Sequence, residues 1–192
     1  NILLTNVRST SLDFEIEPVI NFRIKLKNRI SQYNSPINNQ SYFSYYDSLT
    51  STGVSNEINQ FSIQTVFLYT PGKKVTGNGI DRYLVSDDYS TIIFKYTKGL
   101  SGILNSDFNY DKIQFSYIKP WYIGSIGRLK SSFDFGKTIG TVPIGLLHII
   151  PGNQTAYSLF GTFHNLNYYE FITDTYAALH LEHDFNGRVF SR

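Results

Sequence analysis

The sequence has no cysteine and no methionine among its 192 residues, and few charged side chains. The missing cysteine excludes disulfide frameworks, thiolate catalysis and cysteine-ligated zinc. Charged residues make up 17% of the chain, against about 25% in an average soluble domain, which disfavours a fully solvated exterior. The net charge is only +2 and no basic block occurs, so nucleic acid is not expected as a partner.

Long apolar runs are also missing. The longest, residues 142–150, is interrupted by Pro143, Gly145 and His148, whereas a transmembrane helix needs roughly 18 apolar residues. A helical membrane protein is therefore excluded. The length fits one domain or a piece of one. Because the sequence begins at Asn1 without methionine, we expect residues 1–192 to be one segment of a longer protein.

The sequence does contain a repeated alternation of apolar and polar residues. From Ile20 to Lys27 the apolar side chains Ile20, Phe22, Ile24 and Leu26 alternate with Asn21, Arg23, Lys25 and Lys27. Similar runs carry their apolar residues at Phe61–Ile63–Phe67, Ile92–Phe94–Tyr96, Ile113–Phe115–Tyr117, Leu129–Phe133–Phe135 and Ala177–Leu179–Leu181. A period of two is typical of strands, and turn-forming pairs such as Pro71–Gly72, Lys98–Gly99 and Asn186–Gly187 separate the runs. The pattern predicts an all-β, antiparallel up-and-down meander, with residues 33–54 as a long loop or frayed strand pair.

The alternation fits two architectures. In a soluble β-sandwich or barrel that binds ligands or partners, the apolar face points into a core. In a transmembrane β-barrel, or a segment of one, the apolar face contacts lipid and the polar face lines the lumen. Runs of about 9–11 residues and aromatic residues near the ends of the runs favour the barrel. Aromatic side chains of this kind are Tyr69, Tyr83, Tyr89, Tyr96, Tyr110, Trp121, Tyr122, Tyr168 and Tyr169.

The barrel reading assigns each row of side chains to one side. The residues expected to face lipid are Ile20, Phe22, Ile24, Leu26, Phe133, Phe135, Leu179 and Leu181. The residues expected to line the lumen are Arg23, Lys25, Lys27, Arg29, His180, Glu182 and Asp184. In a lumen the basic row would favour anionic solutes or would pair with the acidic row. Residues 33–54 and 142–153 are the loops expected to cap the barrel.

Three patterns suggest catalytic or binding chemistry only weakly. In His180-Leu-Glu-His183 the first histidine and Glu182 share a strand face while His183 points the other way, which breaks a three-ligand metal set. Gly136-Lys-Thr resembles the end of a phosphate-binding loop, but the required earlier glycine is Ser131. No Gly-x-Ser-x-Gly motif occurs. The sequence therefore predicts no enzyme, no cofactor and no metal site.

Five sequence blocks, taken in order, resemble one known family. The blocks are Thr70-Pro-Gly-Lys73, Lys98 to Tyr110, Gly136 to Pro143, Pro151-Gly-Asn-Gln154 and Asn167-Tyr-Tyr-Glu-Phe171 through Gly187. They resemble the C-terminal β-barrel part of a Bacteroidota outer-membrane family of unknown function that carries an N-terminal carboxypeptidase-regulatory-like domain. That family is itself similar to the surface-antigen barrels related to BamA and TamA.

The resemblance implies a location and a general role. It implies the cell outer membrane, contact with the lipid bilayer, other outer-membrane or periplasmic proteins as partners, and a non-catalytic part in outer-membrane protein biogenesis, translocation or transport. Two features depart from the related barrels. The Val-Arg-Gly-Phe lid-loop motif is missing, and the chain ends in Phe190-Ser-Arg192 instead of on an aromatic residue. In the family the polypeptide continues past this point, so the resemblance implies that residues 1–192 are a β-barrel segment without its last strands and its soluble domains.

Overall fold

The computed structural model of the chain is built from strands joined by turns and loops. It describes residues 6–34, 45–46, 54–55, 57–77, 81–153, 155, 157, 159–167 and 170–185. The strands are β1 (Asn6–Val19), β2 (Phe22–Asn34), β3 (Tyr45–Tyr46), β4 (Val54–Ser55), β5 (Glu57–Tyr69), β6 (Val75–Thr76), β7 (Tyr83–Leu84), β8 (Thr91–Leu100), β9 (Tyr110–Tyr122), β10 (Arg128–Ile139), β11 (His148–Ile149), β12 (Ile172–Thr173) and β13 (Thr175–Asp184). Two short 3₁₀ turns lie at Gly124–Ile126 and Ile144–Leu146. In these described ranges, no helix is long and apolar enough to cross a membrane.

The seven long strands form one antiparallel sheet in the order β1-β2-β5-β8-β9-β10-β13. Long strands that follow one another in the chain are neighbours in the sheet, so the sheet is a meander, as the alternation predicted. Within the described residues β1 and β13 do not pair with each other, and the sheet is open. The all-β meander is confirmed, and its open sheet is consistent with a segment of a barrel. The six short strands form three two-stranded pairs in the connections.

The strand register divides the sheet into one apolar and one polar face. Cross-strand partners point to the same side, and one such row runs from Ile24 on β2 through Phe67, Phe94 and Phe115 to Phe135 on β10. Phe22, Leu26, Phe133, Leu179 and Leu181 lie on the same face as this row. The opposite face carries Arg23, Lys25, Lys27, Arg29, His180, Glu182 and Asp184.

The apolar face has no covering layer in the part of the chain that the structure describes. Phe14 on β1 is 58% exposed and Leu181 on β13 is 63% exposed, although both are large apolar side chains. The ring pairs described on this face join neighbouring strands of the sheet, as in the Phe67–Phe94 pair with ring centroids 6.2 Å apart. The described buried apolar cluster is small and consists of Ile58, Tyr110 and Leu146. A second sheet packed on the apolar face, which a soluble sandwich would require, is not found among these residues.

Two sequence predictions about the ends of strands are wrong. Ile20 was expected on the strand face of Phe22, but it lies in the turn between β1 and β2 and lines a cavity with Glu17 and Arg23. Asn21 forms this turn with φ of +66°, a left-handed conformation that asparagine tolerates. The expected turn at Lys98–Gly99 lies inside β8 instead, and the chain reverses only after Leu100.

One strand was not predicted at all. On β1 the apolar residues Leu12, Phe14 and Ile16 alternate with Asp13 and Glu15, and the strand pairs with β2 along most of its length. The predicted long loop at residues 33–54 and the turn at Asn186–Gly187 lie mostly or wholly outside the described residues. Of residues 33–54, only the end of β2 and the β3–β4 pair are described.

Candidate functional site: the polar face and its covering loop

The polar face is covered in part by the connection between β10 and β13, residues 140–174. Two cavities lie between this loop and the sheet. The larger, about 430 Å³, is lined by β9, β10 and β13 below and by loop residues 147–151, 160–161 and 163 above. The smaller, about 220 Å³, lies over β2, β5, β8 and β9 and is closed by Gly145 and Leu146. The loop part 142–153 that was expected to cap a barrel therefore lies on the polar face.

Lys112 on β9 anchors the loop and separates the two cavities. Its Nζ donates hydrogen bonds to the carbonyl oxygens of Leu146 at 2.6 Å and Leu147 at 3.4 Å. Because both cavities are lined by this lysine, its side chain forms part of the wall between them. The contact couples the position of the loop to the centre of the sheet.

His148 on the loop packs in an aromatic pocket above β10 and β13. Its ring is 5% exposed and meets the Tyr176 ring edge-on, with centroids 4.9 Å apart. Burial lowers the pKa of His148 to about 4, with a further contribution from the positive charge of Lys112. The Nε2 atom is buried and has no hydrogen-bond partner among the described residues. With its pKa lowered to about 4, the imidazole is neutral at pH 7.

Two further loop residues, Phe160 and Phe163, contact side chains of the polar face with their aromatic rings. The Lys130 ammonium lies 3.8 Å from the centre of the Phe160 ring, and the His180 ring lies 4.7 Å from that of Phe163. Contact of a cation with a ring face is favourable because the ring face carries negative charge density. The loop is thus fixed to β9, β10 and β13 by different side chains at three places.

Side chains of the basic row on β2 form ion pairs with carboxylates on the neighbouring strand β1. Arg23 Nη1 lies 3.1 Å from Glu15, and Lys25 and Lys27 lie 3.2 Å and 3.7 Å from Asp13. These carboxylates are on β1, which sequence analysis did not predict as a strand. Within the sheet, β5, β8, β9 and β10 separate β2 from β13, so the strand order does not bring the basic row next to Glu182 and Asp184. In the register, Glu182 lies opposite Lys130 and Asp184 opposite Arg128.

Arg128 also ties the sheet to the loop before β8. Its Nη2 lies 2.6 Å from Asp87 Oδ2, and its guanidinium lies 5.3 Å from the centre of the Tyr122 ring. The Tyr122 hydroxyl donates to the same carboxylate. The hydrogen bond from Tyr122 and the charge of Arg128 together hold the pKa of Asp87 below its usual value.

A cluster of serines and one carboxylate lies under the larger cavity. The Ser116 and Ser132 hydroxyls donate to the two oxygens of Asp134 at 2.6 Å and 2.5 Å. His180 lies directly opposite Ser132 in the register. Each serine proton is directed at the carboxylate instead of at the imidazole, so the cluster is a closed hydrogen-bond network and lacks the serine–histidine contact of a nucleophilic site.

Comparison with known proteins gives a family and no described function. Residues 6–192 match the model of a family of unknown function (DUF5686), C-terminal domain. The chain belongs to this family. No curated protein and no solved structure matches the chain. The DUF5686 C-terminal domain thus takes in all seven long strands and the covering loop.

The DUF5686 C-terminal domain shows no metal-binding cluster among its described residues. His180 and Glu182 share the polar face, while His183 lies on the apolar face opposite Leu129, as the strand period predicts. Sequence analysis did not find the role of Lys112, His148 or Asp134. From the sequence, only the place of Lys112 and Asp134 on the polar side of their strands was readable. The loop partners of Lys112 lie 34 and 35 residues away along the chain.

Proposed function

We propose that this domain is a segment of a transmembrane β-barrel in the outer membrane, where it contributes a non-catalytic passage for transport, translocation or outer-membrane protein biogenesis. One observation supports this most directly. Among the described residues, loop side chains cover part of the polar face of the sheet and nothing covers its apolar face. A soluble domain buries apolar surface first, because that burial stabilises the fold by about 25 cal/mol per Å².

The dimensions of the sheet support a membrane crossing. A strand of 13 residues such as β9 rises about 43 Å, enough to span a bilayer when tilted by about 45°. On the apolar face of β9, Asp111 and Lys119 bracket the uncharged residues Ile113, Phe115 and Tyr117. From Asp111 to Lys119 the strand rises about 26 Å, which at this tilt is about 18 Å along the membrane normal, or about three quarters of the roughly 25 Å apolar band of outer-membrane barrels.

Amphipathic side chains lie at both ends of this band. At one end Trp121 Nε1 donates to Ser131 Oγ at 3.0 Å, and Lys119 Nζ lies 5.1 Å from the indole ring. At the other end Tyr96 and Lys98 both contact Asp111, and the Lys98 Nζ–Asp111 Oδ2 distance is 2.8 Å. Aromatic rings and paired charges of this kind suit the headgroup levels of a bilayer.

The polar face carries features that a passage would need. Charged rows line the sheet, and the described loop residues 145–151 and 160–163 lie over part of this face, beside two cavities. Such a loop would act as a constriction that controls which solutes pass. The resemblance of the sequence blocks adds the finer proposal of a Bacteroidota protein with an N-terminal regulatory-like domain and other outer-membrane or periplasmic proteins as partners.

Site-directed spin labelling tests the orientation, and the chain suits it because it has no cysteine. Nitroxides at Phe94→Cys and Lys95→Cys would occupy adjacent positions on the central strand β8. In vesicles the Phe94 label should collide mainly with oxygen, which concentrates in lipid, and the Lys95 label mainly with a water-soluble nickel chelate. A label at Asp88→Cys, on an exposed loop, gives the aqueous reference.

The opposite outcome would identify the alternative function. If neither position shows preferential contact with oxygen and the Phe94 label is immobile and shielded from both reagents, the apolar face is covered by protein. The domain would then be a soluble partner-binding module. If both positions match the Asp88 reference, the sheet does not enter the bilayer, and the proposal is overturned.

A further inference from the structure

We propose that the smaller cavity on the polar face is a binding site for a small oxyanion, a phosphate or the phosphate group of a soluble solute. The site gives the proposed passage a substrate class, and in that sense it rests on the proposed function. The cavity, about 220 Å³, is formed by β2, β5, β8 and β9 under the loop residue Leu146. Its size suits a small anion or the charged end of a larger solute better than a whole drug-sized ligand.

The charge of the lining supports an anion. Lys27, Arg29 and Lys112 all line the cavity, and no aspartate or glutamate does. The nearest ion pair recorded for these three cations is the long contact of Lys27 Nζ with Asp13, at 3.7 Å. Three cations that converge on a space without a carboxylate raise the local concentration of anions. Two residues of the basic row predicted from the sequence, Lys27 and Arg29, thus lie at this cavity. Lys112 of β9, which the sequence did not associate with that row, lines the same cavity.

The neutral side chains of the cavity supply hydrogen-bond donors. Gln64 Nε2 donates to Thr97 Oγ1 at 3.0 Å, so the acceptor side of this hydroxyl is occupied and its proton is directed elsewhere. Ser31 and Ser62 line the same space with two more hydroxyls. Arg29 is exposed and carries a planar guanidinium that matches the geometry of an oxyanion. Cations and donors together are the requirement for oxyanion recognition.

The cavity near the β1–β2 turn provides a contrast within the same strand. Arg23 lines that cavity with Lys73 and Arg82, but Glu17 lies there too, and Arg23 is paired with Glu15 at 3.1 Å. Two of these three cations form ion pairs, Arg23 with Glu15 and Arg82 with Glu17. Arg23 and Arg29 are therefore a matched pair, because both are arginines on the polar face of β2. Arg23 is paired with a carboxylate, whereas Arg29 lines a cavity that contains none.

The experiment is a titration with inorganic phosphate, measured by isothermal calorimetry on the purified protein in detergent. We expect saturable binding that Arg29→Gln weakens by about tenfold or more, since a lost charge-assisted hydrogen bond is worth at least this factor. The matched variant Arg23→Gln should change the dissociation constant by less than about twofold. Arg29→Lys should recover part of the affinity because it restores the charge but not the planar fork.

The outcomes separate this site from the proposed function. Equal weakening by Arg29→Gln and Arg23→Gln, or no saturable binding by folded wild-type protein, overturns the oxyanion site. Binding of dihexanoylphosphatidic acid without binding of free phosphate also overturns it, since the ligand would then be a lipid headgroup. If the protein proves soluble without detergent, the same titration in buffer still tests the site although the barrel has failed. Circular dichroism of each variant checks folding.

Discussion

The ring of Tyr110 lies against the backbone of Gly99, its direct partner across β8 and β9, and Tyr176 lies in the same way against Gly136 across β10 and β13. A Cβ atom at Gly99 would come within 2.3 Å of the Tyr110 ring, and one at Gly136 within 2.2 Å of the Tyr176 ring. Aromatic rings that cover strand glycines compensate for the missing side chain and pin the register. At both positions glycine is required by close packing within a strand and not by a turn.

Substitution of Gly99 by alanine should destabilise the sheet. The new methyl group forces the Tyr110 ring away from the strand, and overpacking of this kind costs about 1–3 kcal/mol. The change is measured as the free energy of unfolding from urea titration in vesicles. The double variant Gly99→Ala/Tyr110→Ala is the control, because its cost should be less than the sum of the single costs. Strict additivity would show that the ring and the glycine do not interact.

His148 should make the domain less stable in mild acid. Its pKa falls from an ordinary 6.5 to about 4 in the folded protein, so between these values the unfolded chain takes up a proton that the folded chain refuses. Stability is fully present above pH 6.5 and is lost as the pH falls, by about 2–3 kcal/mol at pH 4.5. The groups that face the ring are Lys112, the Lys137 backbone and Asp174.

The matched variant for this test is His148→Phe, which keeps a ring beside Tyr176 and removes the titrating group. Urea unfolding of both proteins at pH 7.0, 5.5 and 4.5 gives the difference in the free energy of unfolding. Other titrating groups are common to both proteins and cancel in that difference. A difference that does not vary with pH would show that His148 does not carry the effect.

At the scale of single elements, the strands were readable wherever apolar and polar residues alternate without interruption. The alternation in β2, β5, β8, β9, β10 and β13 placed these strands and their faces correctly. β1 shows the same period only over residues 12–16, between a polar run at residues 8–11 and Pro18, and it was not predicted. The glycine in Lys98–Gly99 was misread because a turn glycine and a glycine packed under a ring are identical in sequence.

The contacts of the candidate site could not be read in the same way. Lys112 bonds to the carbonyls of Leu146 and Leu147, and His148 packs on Tyr176, across connections that contain no periodic pattern. Periodicity gives the face of a strand but not the path of a loop above it. The sequence shows that the basic residues share one face of β2. Their partners on β1 depend on a strand pairing that no local signal specifies.

A lysine introduced on the apolar face of β8 should lower the free energy of unfolding more than a lysine introduced on its polar face. In a bilayer, Phe94→Lys places an ammonium near the middle of the lipid-facing band and should cost about 2–4 kcal/mol. Ile93→Lys places the same group on the polar face, with Lys95 two positions along the strand, and should cost about 1 kcal/mol from local repulsion. Urea titrations in vesicles measure both costs. If Phe94→Lys lowers the free energy of unfolding less than Ile93→Lys does, the apolar face does not contact lipid.

For the whole molecule, the combination of an open sheet and a bare apolar face predicts dependence on an amphiphile. Exposed apolar patches on soluble monomers rarely exceed a few hundred Å², and here the face extends across seven strands. The outer edges of β1 and β13, which pair with no other described strand, add a second route to association. Removal of detergent from the purified protein should therefore convert a monodisperse species into large aggregates, as measured by analytical ultracentrifugation. Exchange of the same detergent for an amphipathic polymer is the control and should keep the protein monodisperse with an unchanged β-sheet spectrum. A species that stays monomeric and folded in plain buffer would mean that the apolar face is covered by protein, and the membrane assignment would fall with it.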